Sequence, residues 1–100
     1  MRMIVFFLNI NDSNFKSGFL NVGVANALHF GLHDHYTNAF LGNWSVAPIP
    51  ARIDRINQGP NNVRLHLKTR FKRWIQANHV IGETLTITIN PLFPNSILIQ

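Results

Sequence analysis

Apolar and polar positions change rhythm about every ten residues along this chain. Residues 3–10 are β-branched and aromatic, too few for a helix, and predict a buried strand. The stretch NDSNFKSG (11–18) is rich in turn formers and predicts a polar loop. Residues 19–24 follow as a second strand, and 25–32 fit one short helix with Leu28 and Leu32 on the same face. Residues 44–57 suit extended chain, which Pro48 and Pro50 confine to an edge or a bend. QGPNN (58–62) is a turn signal. Beyond it, Val63, Leu65 and Leu67 alternate with Arg64, His66 and Lys68, predicting a strand with one apolar and one basic face. A helix is predicted over 70–78, burying Phe71, Trp74 and Ile75 and exposing Lys72 and Arg73. ETLTITIN (83–90) alternates Leu85, Ile87 and Ile89 with threonines and is the clearest strand. Residues 96–100 are a further strand candidate. Both tryptophans, Trp44 and Trp74, are expected in the core.

Many short strands and few helical stretches predict a mainly β domain. The 100 residues, 46% of them apolar, suffice for one core and so for a single domain over 1–100. A charged fraction of only 13% excludes a charge-rich disordered tail. With no cysteine, disulfides, thiol catalysis and zinc–thiolate sites are excluded, which fits a reducing cytoplasm. The apolar run that follows Arg2 ends at Asn9, short of a signal-peptide core of roughly 7–15 residues with its cleavage site. No stretch approaches the ~20 apolar residues of a membrane span. A cytosolic protein without a membrane partner is expected. Because the chain ends inside an apolar run, one domain of a longer polypeptide is also expected.

Charge changes the picture more than composition does. Nine Lys and Arg stand against four Asp and Glu, giving +5 and a pI near 10.9. The excess is confined. Arg52, Arg55, Arg64, Lys68, Arg70, Lys72 and Arg73 fall within 22 residues opposed only by Asp54, and no Lys or Arg follows. A polyanion is the natural partner of such a segment. Asp54, Asn57, Gln58, Asn61 and Asn62 interleave with these cations. Arg pairs with guanine, Asn or Gln with adenine, and Asp accepts from cytosine, so the mixture suits reading bases beyond gripping phosphate. Asp54 could instead orient Arg52 or Arg55, and the segment could be a solvated basic hairpin.

Catalytic patterns are missing. His29, His33, Asp34 and His35 cluster, with His29 and His33 at i,i+4 spacing, but Phe30 follows His29 where an HExxH motif needs glutamate. Glu83 and Asp54 lack the x-Lys partner of restriction-type nuclease sites, and His66–Leu67–Lys68 is followed by Arg73 where a phospholipase-like site needs an acid. No nucleophile elbow or glycine-rich phosphate loop occurs. The domain is expected to be non-catalytic, with no metal and no cofactor.

LNINDSNFKSGFLNVGV (8–24) resembles the start of the N-terminal effector domain of EcoRII-type restriction endonucleases. ARIDRINQGPNNVRLHLKTRF (51–71) resembles that domain's second arm, and RWIQANHVIGETLTITI (73–89) is similar to the close of the plant "B-three" transcription-factor domains. Leu20 and Asn21 depart from the family's His-Gln pair. The resemblance implies an open seven-stranded pseudobarrel with two short helices, whose two arms hold duplex DNA through its major groove. It implies an N-arm at 11–18 and a C-arm at 52–64, a five-base-pair CCWGG target, and a nuclease domain elsewhere in the same polypeptide of a bacterial cytoplasm. A monomer is expected. Asn11, Asp12, Ser13, Asn14, Lys16, Ser17 and Asn21 are then DNA-contact candidates on the first arm. Arg52, Asp54, Arg55, Asn57, Gln58, Asn61, Asn62 and Arg64 are candidates on the second, and Lys68, Arg70, Lys72 and Arg73 are phosphate holders.

Two other readings remain open. An OB-like binder of single strands or RNA would use exposed aromatics, for which Phe15, Phe19 and Tyr36 are the candidates. A non-catalytic interaction module would carry its charge for solubility alone.

Overall fold

Seven strands form one mixed sheet in the order β1-β6-β7-β3-β4-β5-β2, curled into a half-barrel. The computed structural model describes residues 3–56 and 61–100. Its elements are β1 (Ile4–Asn9), α1 (Asp12–Ser17), β2 (Phe19–Asn21), a 3-10 helix (Val24–His29), β3 (Tyr36–Leu41), β4 (Ile49–Asp54), β5 (Arg64–His66), α2 (Lys68–Asn78), β6 (Thr84–Ile89) and β7 (Ser96–Ile99). Neighbouring strands are antiparallel except β3 and β7, which run parallel. The expected mainly β, seven-stranded pseudobarrel is the observed architecture. None of the described helices is long and apolar enough to cross a membrane.

The core follows from strand alternation. Leu20, Ile49, Ala51, Ile53, Leu65, Leu85 and Ile87 all turn to one side of the sheet, where Phe71 and Ile75 of α2 fill the curl. Both α2 residues are fully buried, and each contributes about 1.5–3 kcal/mol by leaving water. β6 keeps the alternation read from its sequence. β7 has three consecutive buried residues, Ile97, Leu98 and Ile99, so both of its faces are covered. β1, expected to be buried, is an edge strand whose outer face leaves Val5 and Phe7 exposed.

Four local expectations are corrected. The 11–18 segment is a capped helix, not a loop. Asn11 adopts extended backbone and its Oδ1 accepts from Asn14 N, while Asn14 Oδ1 accepts from Asn11 N, both at 3.0 Å. Gly18 ends the helix with a left-handed φ of 72°. The helix expected at 25–32 is instead a 3-10 helix that stops at His29 and leaves Leu28 and Leu32 exposed. Lys68, expected on the polar face of a strand, opens α2 with a φ of 66°. Trp44 lies outside the core, half-buried against Phe40 and Phe93 on the outer side.

The helices are laced at one end of the barrel. The Gly18 carbonyl accepts from Leu67 N at 3.0 Å and from Lys68 N at 2.9 Å, so the end of α1 serves the start of α2. Gln76 Nε2 donates to the Phe15 carbonyl at 2.6 Å.

Candidate nucleic-acid interface

Alternation that sends Leu20, Ala51, Ile53 and Leu65 inward sends their neighbours outward. Register then aligns them in rows. Tyr36, Arg52, His66 and Phe19 are successive cross-strand partners over β3, β4, β5 and β2, and Asp54, Arg64 and Asn21 form the next row. Cross-strand partners in adjacent strands stand within interaction distance, so the two rows make one polar face.

Arg64, Arg52, His66 and Asp54 are each held on this face. Arg64 Nε donates to Asn21 Oδ1 at 3.1 Å, and its guanidinium stacks 4.0 Å above the Phe19 ring centre. Arg52 Nη1 lies 3.0 Å from Asp34 Oδ1. His66 Nε2 lies 3.0 Å from Asp54 Oδ2, and Asp54 Oδ1 accepts from Ile56 N at 2.9 Å. Asp54 is 0% exposed. Its carboxylate orients His66 and closes the strand end, in place of the base contact expected of it.

Arg55 is likewise assigned to the structure. Its Nε donates to the Gly31 carbonyl at 2.7 Å, and Nη2 donates to the carbonyls of Phe30 at 2.7 Å and Ala27 at 3.1 Å. The guanidinium thus ties the β4–β5 connection to the end of the 3-10 helix. In the same place His33 Nδ1 accepts from Arg55 N at 3.1 Å. His33 belongs to the histidine cluster singled out in the sequence. Among the described residues, no group of three or more His, Asp or Glu is arranged to hold a metal.

Asn14 is 4% exposed, and besides its capping bonds its Nδ2 donates to the Phe19 carbonyl at 2.8 Å. It is a structural asparagine rather than a base reader. Asn11 is spent on the same cap, while Asp12, Ser13, Lys16 and Ser17 are exposed, with Lys16 4.0 Å from Asp12. On the other arm Asn61 is exposed and Asn62 Oδ1 accepts from Val63 N at 2.7 Å. Asn57 and Gln58 lie outside the described residues.

The two arms sit at opposite ends of the β2–β5–β4 ladder. α1 leads into Phe19, level with His66 and Arg52, while the β4–β5 connection leaves from Asp54, level with Arg64 and Asn21. Two residue steps, about 7 Å, separate those levels. Helix α1 and the described start of the β4–β5 connection, Arg55 and Ile56, therefore lie beyond opposite ends of the polar face.

Electrostatics is settled by pairing. Each of the four carboxylates has a basic partner: Asp12 with Lys16, Asp34 with Arg52, Asp54 with His66, and Glu83 with His79. Among the described residues no carboxylate lies within 4.0 Å of the cationic groups of Lys68, Arg70, Lys72 or Arg73. Their charge is left to solvent and to any anion that approaches. Arg70 stands between two grooves. One, of about 380 Å³, is shared with Leu41, Val46, Ala47, Arg73 and Trp74. The other, of about 320 Å³, holds Tyr36, Arg52, His66 and Lys68 among its walls.

Residues absent from the sequence-based DNA-contact candidates are His66 and Asp34. The alternation Val63–Lys68 already put His66 beside Arg64. Nothing local could have paired Asp34 with Arg52, 18 residues away.

The class defined by this fold and face is a mainly β pseudobarrel with a cationic exposed strip. No family model matches the chain, and no curated protein matches it. Among solved structures it is similar to a hypothetical protein of Arabidopsis thaliana, with a TM-score of 0.65 and 11% identity over 99% of this chain and 89% of that one. At that identity the likeness shows a shared pseudobarrel fold.

Proposed function

We propose that this domain binds double-stranded DNA sequence-specifically, with the β2–β5–β4 face as floor and the α1 and β4–β5 arms as jaws in the major groove. One observation carries the reading: every carboxylate is engaged while Lys68, Arg70, Lys72 and Arg73 have no carboxylate partner among the described residues, beside a strip bearing Arg52, Arg64 and Asn21. In this reading Arg64, Asn21, Asn61 and Asn62 face bases, and Lys16, Arg52, Lys68, Arg70, Lys72 and Arg73 face phosphates. The EcoRII-type resemblance adds a finer proposal. The domain is the non-catalytic recognition module of a restriction endonuclease, with CCWGG as target and cleavage left to another domain of the polypeptide.

A single-strand or RNA binder fits less well. Stacking platforms must be open, yet the Phe19 ring is covered by the Arg64 guanidinium and Phe15 packs against the core, leaving Tyr36 alone of the three candidates. Selection from a randomised duplex pool followed by sequencing tests the proposal. A recurrent motif is expected, with Arg64→Ala flattening preference at one position. Equal retention of all duplexes, or better retention of single strands, overturns it.

A further inference from the structure

β5 stops at His66, whereas β4 extends past that level through Pro50 and Ile49, paired there with β3. The chain leaves the sheet at this point to begin α2. The gap between the β3–β4 ladder and the first turn of α2 is the groove of about 320 Å³. Arg52, Lys68 and Arg70 line it with nitrogen donors, Tyr36 and Thr69 add hydroxyl-bearing side chains, His66 adds its imidazole, and no carboxylate residue is among its walls.

We infer that this groove is a binding site for a phosphoryl group. Its donors are held from behind. Asp34 fixes one Nη of Arg52 and buried Asp54 fixes Nε2 of His66, so both side chains are oriented before a ligand arrives. A guanidinium has five N–H donors, and one bond to Asp34 leaves others for an anion. Lys68 and Arg70 contribute two positive charges without a carboxylate partner among the described residues, which suits a tetrahedral anion carrying one or two negative charges. The eleven-residue α2 begins here with no acidic residue in its first turn; the Gly18 carbonyl takes the Leu67 and Lys68 N–H groups, and the positive dipole end beyond them adds to the same field. Lys68 reaches the groove wall from a left-handed φ of 66°, a conformation uncommon for lysine. The volume leaves room beyond one phosphate for the group that carries it.

The source of that phosphate rests on the function proposed above: it is a backbone phosphodiester of the bound duplex. A free phosphomonoester would meet the same donors, and the test separates the two. The chain is titrated with inorganic phosphate at constant ionic strength, against chloride, while the amide signals of residues 66–70 are followed by NMR. Saturable shifts confined to the groove are expected, weakened at least ten-fold in Arg70→Ala and Lys68→Ala and unchanged in Val5→Ala on the far edge strand β1. Non-saturable shifts, or shifts that survive both groove substitutions, overturn the inference even if duplex binding is intact. The same variants are then titrated with duplex. A loss of several-fold identifies the backbone as the source. Phosphate binding without duplex binding keeps the groove as a site for a free phosphorylated ligand and refutes the DNA reading.

Discussion

Replacing Arg55 with alanine separates a structural role from a reading role. The side chain makes three bonds to the carbonyls of Ala27, Phe30 and Gly31, all from one guanidinium. Those carbonyls close the 3-10 helix, and in the variant water replaces the guanidinium at a partly buried site. Bonds to a charged donor are worth about 1.5–3 kcal/mol when fully buried, and ordinary net values are about 0.5–1.5 kcal/mol. With three bonds at a partly wetted site, about 0.7 kcal/mol each, in the lower half of the ordinary range, gives a loss of about 2 kcal/mol. In urea, at a slope of about 1 kcal/mol per molar, the midpoint falls by roughly 2 M. In a thermal scan the same loss lowers Tm by roughly 8–16 °C. Tryptophan fluorescence follows the urea transition. At a temperature where the variant is still folded, its preference among duplex sequences is expected to survive, because Arg55 faces the 3-10 helix rather than the strip. An unchanged midpoint together with a collapsed preference would refute this reasoning and make Arg55 a base reader.

Other substitutions probe the rest of the argument. Gly18→Ala places a Cβ 2.6 Å from the Lys68 carbonyl oxygen at a φ of 72°. The left-handed conformation alone costs about 1–2 kcal/mol, so a total loss above 2 kcal/mol is expected from urea unfolding, and a neutral result would show that α1 and α2 are not tightly joined. Asn14→Ala removes half of the capping box and the bond to Phe19, and should cost about 1–2 kcal/mol by the same assay. Duplex affinity measured by fluorescence anisotropy against salt should give a log–log slope of about −0.9 per phosphate neutralised, and Arg73→Ala should reduce its magnitude by about 0.9 without altering sequence preference. A slope untouched by that change removes Arg73 from the interface.

Legibility differed sharply between elements. The strand at 84–89 and the helix at 68–78 were readable because each buries one face, and burial of one face imposes a period on the sequence. The strand at 36–41 was not read. Its inward residues are Thr37, Ala39 and Leu41 and its outward ones include Phe40, so the polarity contrast that marks a strand is weak there. The short helix at 12–17 was missed because asparagine signals turns and caps alike. Only the reciprocal pairing of Asn11 with Asn14, three residues apart, and Gly18 at the far end distinguish the two.

The same division governs the candidate site. From the sequence alone came the mainly β class, the confinement of the net positive charge to residues 52–73, and the alternation that puts Arg64 on a polar strand face. These are properties of short windows, where side-chain period and charge count need no knowledge of distant partners. Tertiary structure decided which cations stay available. Arg52 meets Asp34, Arg55 meets the end of a helix 24–28 residues earlier, and Asp54 disappears beneath two histidines, whereas Lys68 and Arg70 come to line a groove. Such pairings depend on chain closure over tens of residues, which leaves no local trace, so the count of charges was legible early and their employment was not.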